Sequence, residues 1–100
     1  MLIVAGTLDV DPARRDEFLQ GRKDAVLATR GEPGCLEYTF SADLVEPGRV
    51  RIFERWESKD ALAGHLKAMS EAPRPSAPGV EVLGRELVQY EISASGPLGS

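Results

Sequence analysis

Two alternating runs separated by a loop too short for a crossover constrain this chain more than any other feature. Cys35 to Ala42 alternates Leu36, Tyr38 and Phe40 with Cys35, Glu37 and Thr39. Arg49 to Glu57 alternates Val50, Ile52, Glu54 and Trp56 with Arg51, Phe53 and Arg55. The Asp43 to Gly48 loop between them ends in Glu46-Pro47-Gly48, which has turn chemistry. A parallel connection needs a dozen or more residues, so these strands are expected to pair as an antiparallel hairpin.

The flanks fix what the hairpin sits in. Leu2 to Asp9 alternates Leu2, Val4 and Leu8 with Ile3, Ala5 and Thr7, so both faces are apolar and the strand is expected to be covered on two sides. Asp11 before Pro12 predicts an N-cap and a helix start. That helix carries Phe18, Arg22, Ala25, Val26 and Thr29 along one stripe, widened by Leu19 and Leu27. Gly31-Glu32-Pro33-Gly34 ends it, with glycine supplying a left-handed cap. Ser58 is the expected cap of a second helix, with Asp60 in its first turn and Leu62, His65, Leu66 and Met69 at helical spacing. Pro73, Pro75 and Pro78 forbid further helix and predict a rigid excursion before a long last strand from Val80 to Ile92.

The order strand, helix, strand, strand, helix, strand is the split βαβ pattern of a ferredoxin-like α+β sandwich, an antiparallel sheet with both helices on one face. Leu36, Tyr38, Phe40, Arg51 and Phe53 are then expected on the other face, where a second copy of the sheet would cover them in a homodimer. Residues 1–92 are read as one domain and 93–100 as a flexible tail, whose last five residues are either native or an appended remnant.

Composition narrows the function classes. With 42% hydrophobic and 28% charged residues in 100, the chain has the makeup of one soluble globular domain. The net charge of −4, with no Lys/Arg cluster, argues against sequence-independent binding to nucleic acid or to an anionic membrane. The single histidine cannot build a multi-His metal site, and the single Cys35 cannot form an intrachain disulfide and is expected as a small buried hydrophobe. Met1 to Gly6 is apolar but too short to span a bilayer and lacks a basic flank, so a cytoplasmic protein is expected.

Three stretches resemble the antibiotic biosynthesis monooxygenase family: Pro33-Gly34-Cys35-Leu36-x-Tyr38, Phe53-Glu54-Arg55-Trp56-Glu57-Ser58, and Ala61-Leu62-x-x-His65-Leu66. The resemblance implies a dimeric α+β barrel, in which two sheets face each other and each subunit keeps a cavity between sheet and helices. It also implies oxygenation of phenolic or quinol substrates with dioxygen, without metal or flavin. Haem-degrading relatives use a first-strand asparagine and a histidine beyond the second helix. Here Thr7 stands at about the first place and no histidine follows, so no haem is expected.

On this reading the expected reaction is cofactor-independent monooxygenation of a small phenolic, quinol or polyketide-like ring. The alternatives are a non-catalytic module for a hydrophobic ligand and an isomerase-like role on a lactone. His65 is the expected base, because histidine titrates near working pH, and the alternative is a satisfied core residue. Glu54 is expected to orient His65 or to contact substrate, against a structural hydrogen bond to backbone or to His65. Trp56 is weighed between core packing and stacking on a substrate ring. Ile52, Leu62 and Met69 are expected as apolar cavity walls, and Thr7, Glu37 and Thr39 as polar substrate contacts. Arg51 and Arg55 are expected to be solvated or paired across the dimer with Glu81 or Glu91.

Overall fold

Pairing between the first and last strands organises the computed structural model, which describes residues 1–72 and 79–99. Strand β1 (Leu2–Asp9) lies between β3 (Arg49–Trp56) and β4 (Gly84–Glu91), and β2 (Cys35–Ala42) flanks β3. All neighbours in the order β2-β3-β1-β4 are antiparallel. Helices α1 (Arg15–Gly21), α2 (Lys23–Arg30) and α3 (Lys59–Glu71) supply the second layer. This is the ferredoxin-like α+β fold that the element order predicts. No helix among the described residues is long and apolar enough to cross a membrane.

The core forms where the strand alternation meets the helices. Leu2, Tyr38, Trp56 and Leu62 make one buried cluster, with Val26 of α2 and Ala61 of α3 against it. Leu8, Val10, Val50 and Ile52 make a second, covered by Phe18 and Leu19 of α1 and by Val80 and Val82. Apolar area removed from water is the main source of stability in both.

Several local expectations are corrected. The first helix is not continuous: a 3₁₀ turn at Pro12–Arg14 leads into α1, and Arg22 (φ −90°, ψ −9°) separates α1 from α2. Gly21 weakens the helix at that point, and the Arg22 N–H tightens to the Leu19 carbonyl at 3.1 Å. The break turns Leu27 outward while Thr29 stays buried. Gly31 ends α2 with φ −89°, and the left-handed glycine is Gly34 at φ +79°. The last strand begins at Gly84, not Val80, because Val80 and Val82 pack on the core ahead of the first link to β1, Leu83 N–H to Asp9 O at 2.7 Å. The excursion read at Pro73, Pro75 and Pro78 lies outside the described residues.

Tyr38 and Phe40 face the helices, not the outer face, because the hairpin register sets them opposite Glu54 and Ile52. The outer face instead carries Ile3 and Ala5 of β1, Phe53 of β3, and Val88 and Tyr90 of β4. Arg51 pairs with Asp43 at 2.7 Å and Arg55 with Glu37 at 2.9 Å, while Glu91 is held by Lys59. Arg51 and Arg55 are thus part-exposed and paired within the chain.

Candidate functional site

The α2–β2 loop brings a carboxylate to the lone histidine. Glu32 N–H bonds to the Thr29 carbonyl at 3.0 Å, Cys35 N–H returns to the Glu32 carbonyl at 3.2 Å, and Gly34 turns the chain between them. A Cβ on Gly34 would lie 2.4 Å from the Ala61 Cβ, so only glycine lets this loop rest on α3. Ala61 is four residues, about one turn, before His65. The Ser58 hydroxyl caps α3 by accepting from the Ala61 N–H at 3.1 Å, which fixes the helix start against the same loop. His65 Nδ1–H consequently donates to the Glu32 carboxylate, at 3.0 and 3.2 Å to its two oxygens.

The imidazole is built into an aromatic wall. His65 is 2% exposed. Its ring lies 4.8 Å from the fully buried Trp56 ring, tilted by 31°, and meets Tyr38 edge-on at 5.4 Å. Trp56 Nε1–H donates to Glu54 Oε1 at 3.0 Å, so the indole links the histidine wall to the buried carboxyl. Glu54 therefore bonds to Trp56, and the carboxylate that orients His65 is Glu32. The second imidazole nitrogen, Nε2, takes no hydrogen bond from the described residues, and His65 borders a cavity of about 460 Å³ between sheet and helices.

Burial sets the electrostatics here. It pushes the Glu54 carboxyl above the usual carboxylate range, an effect that the Trp56 N–H and His65 oppose and Glu32 adds to. Burial also raises the Tyr38 phenol, with Glu54 and Glu32 adding to it and Arg22 opposing. The Cys35 thiol is raised by burial first and then by Glu32 and Glu54, which makes it a poor nucleophile. Among the described residues, no group of three or more His, Cys, Asp or Glu side chains could hold a metal ion.

The sequence-selected residues divide by face. His65, Glu54, Ile52, Leu62 and Met69 border the cavity, and Leu66 and Met69 are half-exposed because the cavity is open beside them. Trp56 stands behind His65 and is absent from the cavity wall. Thr7, Glu37 and Thr39 project from the outer face, since Thr7 pairs with Arg51, Glu37 with Arg55 and Thr39 with Phe53. Their expected place beside the substrate is corrected by that parity. The sequence reading missed Glu32, treated only as part of a helix stop, and Tyr38, assigned to the outer face. Opposed residues of a hairpin share a face, so the register that sets Tyr38 opposite Glu54 turns both inward; the sequence alone did not fix that register. Arg22 and Arg85 also border the cavity and had been given no role there.

Comparisons with known proteins converge on one family. The family model for antibiotic biosynthesis monooxygenases matches residues 1–70. An uncharacterized protein of Synechocystis is 33% identical over 66 residues, which cover 66% of this chain and 45% of the relative; the chain thus spans less than half of that relative's length. A crystal structure from Deinococcus radiodurans, provisionally named an antibiotic biosynthesis monooxygenase, superposes with a TM-score of 0.77 at 26% identity and covers 100% of both chains. The heme-degrader MhuD from Mycobacterium tuberculosis, solved with two hemes bound in its active site, shares the fold with a TM-score of 0.73 at 16% identity, covering 97% of this chain and 100% of its own. A family match over 70 of the 100 residues, spanning Glu32, Glu54 and His65, shows that the chain belongs to the antibiotic biosynthesis monooxygenase family.

Proposed function

We propose that this protein is a cofactor-independent monooxygenase for a small phenolic, quinol or polyketide-like aromatic substrate, working with dioxygen as a cytoplasmic homodimer. The observation that carries the reading is the Glu32–His65 pair at the edge of a largely apolar cavity. Glu32 accepts from Nδ1 and so leaves Nε2 as the acceptor that can take a phenol proton. The same carboxylate stabilises the imidazolium that forms. The phenolate is electron-rich at its ring carbons and can reduce dioxygen itself. A C–O bond forms at a ring carbon, the hydroperoxide loses water, and the ring ends as a quinone, so one phenol and one O₂ give one quinone and one water. Apolar walls keep bulk water from the reactive oxygen species.

Family membership and the cavity support small-molecule chemistry, and the half-exposed apolar outer face supports the dimer. Oxygen uptake measured with a panel of phenols and quinols tests the proposal. The active substrate is expected to lose about 10²–10⁴-fold in turnover in His65→Gln, with circular dichroism unchanged. Tight binding of aromatic ligands without any oxygen uptake would instead make the protein a non-catalytic ligand module.

A further inference from the structure

The cavity is polarised. Its acid–base groups, Glu54 and His65, lie over one end of the sheet, where Glu54 stands between Val4 and Tyr38. Arg85 lies toward the other end, and Arg22 stands between, reaching from the Phe40 ring to the Tyr38 phenol. Arg85 faces the helices opposite Leu8, in the row of Val50, and the Arg22 guanidinium sits 5.2 Å from the centroid of the Phe40 ring, in the row of Ile52. Two residues along a strand span ~7 Å, so the arginine rows lie about 7 and 13 Å from the Glu54 row.

These arginines also differ from the others in their partners. Arg14, Arg49, Arg51 and Arg55 each face a carboxylate, and Arg15 and Arg30 donate to backbone carbonyls. Among the described arginines, Arg22 and Arg85 alone have neither. Arg22 hydrogen-bonds the Tyr38 phenol and lies over the Phe40 ring, while its Nε, like those of Arg15 and Arg49, is buried with no hydrogen-bond partner. A buried donor without an acceptor is costly, and a planar guanidinium is shaped to receive a carboxylate. Both arginines border the cavity.

We infer that the substrate is an aromatic acid: a phenol or quinol that carries a carboxylate on the side of the ring away from its reacting hydroxyl, with Arg22 on the β2 side of the cavity and Arg85 on its β4 side supplying the positive charge that draws the carboxylate while the hydroxyl meets His65. The inference rests on the proposed phenol chemistry for its second half only. The phenol-to-carboxylate reach of a hydroxyphenyl acid is comparable to the ~7 Å between the Ile52 and Glu54 rows. The apolar stretch between the rows, Ile52 with Phe40 and Leu87, would cover the ring.

Calorimetric titration of the whole protein with a hydroxyphenyl carboxylic acid and with its carboxamide tests this without turnover. The acid is expected to bind at least tenfold tighter than the amide. Arg22→Gln and Arg85→Gln together should bring the acid down to the amide's affinity. Arg85 is an exposed edge-strand residue, so Arg85→Gln alone preserves a folded control and should cut the preference at least threefold. Equal binding of acid and amide, no binding of either, or a preference that survives Arg85→Gln would overturn the inference. Acid preference without oxygen uptake would keep the aromatic-acid assignment and remove the monooxygenase reading, so the two failures are separable.

Discussion

Three side chains, the buried Glu54 and His65 and the part-buried Glu32, carry most of what can be tested one residue at a time. In the proposed mechanism Glu32 acts through His65, so Glu32→Gln is expected to lower turnover about 10²-fold, less than His65→Gln, with circular dichroism unchanged. Glu54 poses the opposite problem, because its burial favours the protonated form. The folded protein therefore binds a proton that the unfolded chain has already released. The stability this gives is complete below the ordinary carboxyl value of 4.5 and is lost as pH rises through the raised folded value. Glu54→Gln keeps an oxygen for the Trp56 N–H and carries no charge, so it should unfold at a higher temperature than the parent at neutral pH, with the gap closing in acid; equal melting temperatures across the range would refute the burial argument. The sequence reading named both His65 and Glu54 yet mispaired them. Helical spacing and strand parity tell which face a side chain takes, but not which loop residue reaches it from elsewhere, and Glu32 is 33 positions from His65.

At the scale of elements, two turns do most of the positioning. The β2–β3 loop is held by Asp43, whose carboxylate accepts from the Glu46 N–H at 2.8 Å, the Arg51 guanidinium at 2.7 Å and the Val45 N–H at 3.1 Å. Those donors pull its pKa down to about 2. Its contribution is present above the ordinary Asp value of 3.8 and is lost as pH falls through about 2, so Asp43→Asn should narrow its stability deficit across that window in acid melts. Arg15 reinforces the loop by donating to the carbonyls of Asp43, Glu46 and Arg49. The α2–β2 turn depends on Gly34. Gly34→Ala combines a left-handed backbone with a collision at Ala61, and is expected to cost about 1–3 kcal/mol in chemical denaturation while weakening the hold of Glu32 on His65. Caps and turns such as Asp11, Ser58 and the Pro47-Gly48 pair were legible because their chemistry is local. The break at Arg22 was not, since Gly21 alone permits either a continuous or an interrupted helix.

For the whole molecule, the fold was legible from element order, while the outer face of the sheet was assigned the wrong residues of β2, Tyr38 and Phe40. Phe53, Ile3, Ala5, Val88 and Tyr90 now define that surface, with Tyr90 49% exposed. Light scattering is expected to give twice the 10.8 kDa chain mass, and Phe53→Arg should halve it without loss of circular dichroism. A single-chain mass for the parent at micromolar concentration would refute the sheet-to-sheet dimer. The pairing of β1 with β4 has a further consequence. Leu2 meets Glu91 and Leu8 meets Arg85, so the strand that walls the cavity is made after every other strand of the sheet and docks on the first one last. Glu32, Glu54 and His65 emerge from the ribosome well before Arg85, and the cavity closes last. A ligand touching both Val4 and Leu87 then works as a latch between the first and last strands of the sheet. Its grip should show up in hydrogen exchange as slowed amides along Gly84–Glu91, far in sequence from the histidine it engages.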